Sequence, residues 1–292
     1  MHRSFETEGH VAVVVECEAG AVDIACQAVS VTEVTLEADS PGGIDLIEGA
    51  VVACSASADG HLLSVRIPPQ HLRGRQRHGE VQVRIVLPLG TDVDVTTASA
   101  PIQVHGLVGR ATFKTASGSI VGDDAAGSVR AKSASGSIAL GSVEGEVSAQ
   151  SASGDVRIGA AARRAVLSTI SGTIEVAAAT ADVEAKTTSG RIDLGALHAD
   201  VAVSTVSGNI RVASQHRGRV QIRTVSGDVT VGIAEKVSLR VDVDSISGRI
   251  RSEIPIGDAL PGEGAVPMVS VVARTVSGDV TLERTGVPAL HE

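Results

Sequence analysis

Beyond residue 110 the chain alternates apolar and polar positions in short runs, and each run is cut by a Ser-Gly pair. Two residues after each of these glycines stands an aliphatic: Ile120, Ile138, Val156, Ile174, Ile192, Ile210, Val229, Ile250 and Val280. A second aliphatic usually follows two positions on, as Leu140, Ile158, Val176, Leu194, Val212 and Val231 do. Apolar residues at every second position predict a strand with one buried face. Another alternation leads into each corner, as in Val129, Ala131, Ser133 and in Val201, Val203, Thr205. No stretch between these strands carries a 3.6-residue apolar period long enough for a helix.

The corners keep register. Gly118, Gly136, Gly154, Gly172, Gly190 and Gly208 are 18 residues apart, and Gly227, Gly248 and Gly278 follow at steps of 19, 21 and 30. A degenerate copy, Ser99-Ala100, precedes them. Strands at the same column of successive repeats should stack in parallel, so the expected fold is all-β: a parallel β-solenoid, a right-handed β-helix of about nine to ten coils. Glycine at the corner permits a positive φ or a close approach of chains. The Ser/Thr column before it, Ser133, Ser151, Thr187 and Thr205 among them, should form a hydroxyl ladder that bonds the turn backbone.

Residues 1–98 read as a separate β region that caps the solenoid of residues 99–292. Its strands are expected around Val11–Val15, Val22–Ala25, Val31–Leu36, Val51–Cys54, Leu62–Ile67, Val81–Leu87 and Val93–Thr96, with hairpin-like turns at Ala19-Gly20, Asp59-Gly60 and Leu89-Gly90. Open end coils invite pairing with other chains, which is the reason to expect caps. At the far end an excursion near 254–268 precedes a last coil at Val269–Leu282. It is either a second cap or a binding loop, with Pro261, Gly262, Glu263 and Gly264 at its tip.

Composition narrows the chemistry. Trp and Tyr are absent and Phe5 and Phe113 are the two aromatics, which argues against a sugar cleft or a stacked single strand. The net charge of −9 disfavours nucleic acid, because neutralising phosphates needs clustered Lys and Arg. That charge sits mostly at the start: residues 1–98 hold 14 acidic and 6 basic side chains, residues 99–292 hold 20 and 19. The one basic cluster, Arg73, Arg75 and Arg77, is a candidate anion contact. Cys17, Cys26 and Cys54 lack metal-ligand spacing and read as reduced structural thiols. With no secretory signal and no apolar run long enough to span a bilayer, a cytoplasmic protein without membrane insertion is expected.

Catalytic motifs are missing too. There is no Gly-x-Ser-x-Gly elbow, no phosphate-binding loop and no His-x-x-x-His pair, and the Asp123-Asp124 pair reads as solvated. The expectation is no catalytic residues, no metal and no cofactor. The mixed charges of the outward column Arg157, Glu175, Asp193, Arg211 and the lysines Lys114, Lys132 and Lys186 read as solvated faces.

The repeated Ser-Gly-x-Ile/Val unit, the entry segment Leu87-Pro88-Leu89-Gly90-Thr91-Asp92-Val93 and the closing Thr275-Val276-Ser277-Gly278-Asp279-Val280 resemble the bacterial putative-adhesin family of β-strand-repeat proteins, a domain of unknown function. The resemblance covers nearly the whole chain and implies a solenoid of parallel strands, with no catalytic residues to carry over. The expected function is therefore a non-enzymatic interaction scaffold or adhesin-like module with an unknown protein partner. The alternatives are a self-associating structural protein and a β-helix enzyme acting on polysaccharide.

Overall fold

A computed structural model of the chain describes residues 1–7, 9–57, 60–69, 79–254 and 268–285. The chain forms two compact units, Met1–Gly154 and Asp155–Glu292. The first contains β1 (His2–Glu6), β2 (Val11–Cys17), β3 (Gly20–Gln27), β4 (Val31–Glu37), α1 (Pro41–Glu48), β5 (Val51–Ser57), β6 (Gly60–Arg66), β7 (Val81–Pro88), β8 (Asp92–Thr97), β9 (Ile102–Val108), β10 (Ala111–Thr115), β11 (Ile120–Ala125), β12 (Val129–Ser133), β13 (Ile138–Val143) and β14 (Val147–Gln150). The second contains β15 (Val156–Ala161), β16 (Ala165–Ser168), β17 (Ile174–Ala179), β18 (Val183–Lys186), β19 (Ile192–Leu197), β20 (Val201–Ser204), β21 (Ile210–Gln215), β22 (Gly218–Arg223), β23 (Val229–Ala234), β24 (Ser238–Ser247), β25 (Ile250–Ser252), β26 (Met268–Ser277) and β27 (Val280–Thr285).

Both units are parallel β-solenoids with two sheets per coil. Strands that follow a Ser-Gly corner build one sheet, here the exit sheet, and strands that lead into it build the other, the entry sheet. The repeat columns stack in register. In the exit sheet Ile120 lies beside Ile138, and Ile174, Ile192, Ile210, Val229 and Val280 form one unbroken row. All of these are buried. Fully burying such an aliphatic side chain stabilises by roughly 1.5–3 kcal/mol, and the row is the core. Phe113 is the bulkiest of the fully buried side chains and stacks between Val95 and Ala131, a large residue beside a small one.

Rung order departs from chain order at two places. In the first unit the exit sheet runs β1-β4-β7-β3-β9-β11-β13 and the entry sheet β5-β6-β2-β8-β10-β12-β14. The coil β2/β3 is therefore inserted between β6/β7 and β8/β9. In the second unit the orders are β15-β17-β19-β21-β23-β27-β25 and β16-β18-β20-β22-β26-β24. The coil expected to close the solenoid, β26/β27, lies inside it, and the earlier β24/β25 forms the outermost rung. Equivalent columns pair equally well in any rung order, so the period carries no information on it.

Three further expectations need correction. The turns at Ala19-Gly20 and Leu89-Gly90 are not hairpins: each carries the chain from one sheet to the other, β2 to β3 and β7 to β8. Residues 41–48, unassigned by the strand pattern, form α1. Ser40 accepts from the Gly43 N–H at 3.1 Å and Pro41 starts the first turn, a capped helix start whose short length hides its period. His2–Glu6 is also a strand, paired antiparallel with β4. Asp59 and the loops bearing Arg73, Arg75, Arg77 and Pro261, Gly262, Glu263, Gly264 lie outside the described residues.

Candidate functional site

Every Ser-Gly corner joins the two sheets, and two hydrogen-bond schemes hold these corners. In the first unit the glycine N–H of Gly118, Gly136 and Gly154 donates to the side-chain oxygen of Thr115, Ser133 and Ser151, at 3.0, 2.7 and 2.9 Å. That is the expected hydroxyl ladder. In the second unit Gly190, Gly208 and Gly227 donate instead to the Ser207, Ser226 and Ser277 carbonyls of the next rung, at 3.1, 3.0 and 3.0 Å. The serines there pair as bridges, Ser171 to Ser189 to Ser207 to Ser226 to Ser277. The hydroxyl ladder is broken here: the buried hydroxyls of Thr187, Thr205 and Thr275 find no partner among the described residues, the Gly190 and Gly208 N–H groups having turned to the adjacent coil, whereas Thr224 and Ser245 bond the Ser226 and Gly278 carbonyls at 3.4 Å.

This extended corner changes what the preceding residue presents. In the first unit the position holds Ala98, Ala116, Ala134 and Ala152. In the second it holds Ile170, Thr188, Val206, Val225, Val276 and Ile246, in rung order. The apolar members are 59%, 51%, 49%, 44% and 79% exposed in that order. The N–H groups of Ser189, Ser207, Ser226 and Ser277 donate to the carbonyls of Ile170, Thr188, Val206 and Val225, which locks the row into the ladder. With rungs about 4.8 Å apart, the six positions give a ridge about 24 Å long that is apolar except at Thr188. An extended corner favours β-branched residues. Thr188 shows that a polar one fits, so the fold does not require the aliphatics.

Charged columns flank the ridge. On the entry side they are Ser168, Lys186, Ser204, Arg223, Arg274 and Asp244. On the exit side Arg191, Asn209, Asp228, Asp279 and Arg249 follow the corner glycines. Asn209, Asp228 and Asp279 each accept the next rung's backbone N–H through Oδ1, from Asp228, Asp279 and Arg249, at 3.1, 2.9 and 2.9 Å. Asp155 does the same for Thr173 at 2.9 Å. These residues act as rung clips, a role that one sequence without its rung order does not reveal.

Elsewhere several outward charges pair with one another. Arg157 bonds Asp155 and Glu175, at 2.8 and 3.2 Å. Burial pushes the Asp193 carboxyl up, Arg191 and Arg211 pull it down, and Glu175 adds to the rise. Glu184, held by Lys186 and then by Arg164, sits below the ordinary carboxylate range. Lys114 and Lys132 are neighbours in one row, whereas Lys186 stands beside Ser168 and Ser204. Asp123 faces His105 at 3.4 Å, and Asp124 accepts the Ser142 N–H at 3.0 Å. His198 and His216 stack with ring centroids 4.2 Å apart, and burial first, then the neighbouring His198, lower the His216 pKa.

Two clefts stand out. One of about 610 Å³ in the first unit is lined by Glu37, Asp39, Ser40, Glu80 and Gln82. Another of about 320 Å³ in the second is lined by Arg164, Asp182, Glu184, Asp200 and Arg219. Among the described residues no three His, Cys, Asp or Glu side chains converge to hold a metal ion. No helix among them is long and apolar enough to cross a membrane.

Fold and surface define a two-sheet parallel β-solenoid of the β-strand-repeat class. The chain belongs to the Toastrack DUF4097 family, which it matches over residues 12–283. Curated proteins give no match. Solved structures with similarity over the chain include a putative adhesin from Bacteroides fragilis, at 11% identity and TM-score 0.41, covering 96% of each chain. A putative adhesin from Parabacteroides distasonis shows 10% identity and TM-score 0.39, covering 97% of this chain and 96% of its own. A putative lipid binding protein from the same organism shows 11% identity and TM-score 0.30, covering 98% and 96%.

Proposed function

We propose that this chain is a non-catalytic interaction scaffold whose contact surface is the apolar ridge of the second unit. One observation carries the reading. A corner position filled by Ala in the first unit is filled by exposed Ile and Val in the second, where Thr188 proves that a polar residue fits. Exposed contiguous apolar surface rimmed by charge marks interaction sites. Family membership and the adhesin names of the solved neighbours agree with a binding role. The carboxylates tied up as rung clips and ion pairs favour a non-catalytic surface. Residues 1–98 serve as the cap, with antiparallel β1, β4 and β5 ending the sheets. Raised thiol pKa values at Cys17, Cys26 and Cys54 suit structural thiols of a cytoplasmic protein.

A photo-crosslinking residue at Val225, compared with one at Thr230 on the outer face of the exit sheet, tests the surface in the host cell. Protein crosslinks enriched at position 225 are expected. Equal labelling at both positions would sink the reading.

A further inference from the structure

The two flanks of the ridge match each other rung by rung. Arg223 shares its rung with Asp228, Arg274 with Asp279, and Asp244 with Arg249. The member on the entry side is opposite in charge to the member on the exit side at each of these three rungs. The same stretch of ridge carries Val225, Val276 and Ile246, preceded by Val206. At the polar Thr188 rung the flanks are instead Lys186 and Arg191, each already beside a carboxylate, Glu184 and Asp193.

We propose that the ridge is a self-association surface on which a second copy of this chain docks side by side, with its stacking direction parallel. The inference rests on the ridge being a contact surface. A two-fold axis along the stacking direction sets each entry flank against the partner's exit flank at the same height. Arg223 then faces the second copy's Asp228, Arg274 faces Asp279, and Asp244 faces Arg249, each pairing occurring twice. A two-fold axis across the stacking direction sets like flanks together: centred on the middle of these three rungs it brings Arg274 against Arg274 and Asp279 against Asp279, while Arg223 meets Asp244 and Asp228 meets Arg249. The parallel arrangement is complementary at all three rungs and the crossed one at two, so charge favours the parallel arrangement. Periodicity selects the same occupant, since another copy presents apolar knobs at the identical rung spacing of about 4.8 Å. An isologous contact of this kind closes as a dimer and does not run on into a fibre. A narrow ridge buries less than the roughly 1,200 Å² of a stable interface, so the dimer is weak and concentration-dependent.

The experiment is sedimentation velocity on the full chain over a concentration series from about 10 μM to about 1 mM, the range in which weak contacts register. A monomer–dimer equilibrium that weakens with added salt is expected. Val225→Thr with Val276→Thr keeps the β-branched shape that Thr188 already shows to fit, and should lower the association constant about tenfold. Asp244→Arg alone should lower it, and Asp244→Arg with Arg249→Asp should restore it. Circular dichroism on each variant separates lost association from lost folding. A monomer throughout the series, or association indifferent to the ridge variants, overturns the self-association. Failure of the double charge swap to restore binding overturns the parallel register. Crosslinks at position 225 to a different protein, with a monomer in the centrifuge, would leave the contact surface standing and remove the second copy from it.

Discussion

Replacing Gly136 by Ala is the sharpest probe of how the coils stack. A Cβ built there would lie 1.8 Å from the Gly118 carbonyl oxygen and 2.5 Å from its carbon. Both contacts are backbone, so no side chain can turn away. Restoring ordinary contact of about 3.5 Å requires the adjoining corners to part by roughly 1.7 Å. Two hydrogen bonds hold that gap, Ser135 N–H to the Ala116 carbonyl at 2.9 Å and Ala134 N–H to the same oxygen at 3.2 Å, while the Gly136 N–H bond to Ser133 Oγ lies within its own coil. Each contributes about 0.5–1.5 kcal/mol net. Ala offsets about 0.4–1 kcal/mol of their loss by restricting the unfolded chain. The expected destabilisation is about 1–2 kcal/mol. Gly122→Ala is the control, since its Cβ meets only the mobile Cδ2 of Leu140 at 3.2 Å, and it should be neutral or slightly stabilising. Urea unfolding followed by far-ultraviolet circular dichroism reads both, fitted to the transition of the first unit. A Gly136→Ala penalty below about 0.5 kcal/mol, matching the control, would refute close approach as the reason for glycine.

Other outcomes follow from the same coordinates. Phe113→Ala empties a fully buried site in a thin core and should destabilise by about 3–5 kcal/mol in the same unfolding assay. Asp155→Ala should cost about 1 kcal/mol through the lost bond to the Thr173 N–H, whereas Asp155→Asn should keep most of it, as Asn209 does for Asp228. For His216 the folded pKa is below the ordinary 6.5, so the unfolded chain takes up the proton first. Its contribution to stability is present above about pH 6.5 and falls as pH drops through that value towards the folded pKa. Thermal melts between about pH 7.5 and pH 5.5 should show this fall, and His198→Gln should lessen it by removing the repulsion while the larger effect of burial remains. Burial raises the Cys17 and Cys26 thiols to about 11, so neither should label with a thiol reagent near pH 8 until urea unfolds the chain.

Much of the fold was legible because the two periods involved are rigid. Alternation of buried and exposed side chains marked strands near Val11–Cys17, Gly20–Gln27 and Val81–Pro88 to within a few residues. The 18-residue step placed Ile174, Ile192 and Ile210 in one column before any coordinate was known, since parallel in-register stacking needs a constant path length per coil. Where that length changes, the sequence also marks a repair. At the 19-residue step, buried Gln215 donates to the Arg217 carbonyl of the lengthened turn and to the Ala199 carbonyl of the preceding coil.

Rung order, corner geometry and surface were decided by tertiary structure. Nothing in a column of equivalent aliphatics tells β27 to enter between β23 and β25, because each pairing buries the same groups. The choice between a glycine N–H bonded to its own threonine hydroxyl and one bonded to the next coil depends on how two coils meet. The apolar ridge was hidden for the same reason. Ile170, Val206, Val225, Val276 and Ile246 each precede a Ser-Gly pair, so the period puts them in one column, but it does not say that the column faces outward. Their exposure shows only once the coils meet, as a line broken at Thr188, and Ile246 stands at its end because the last coil in sequence is not the last in space.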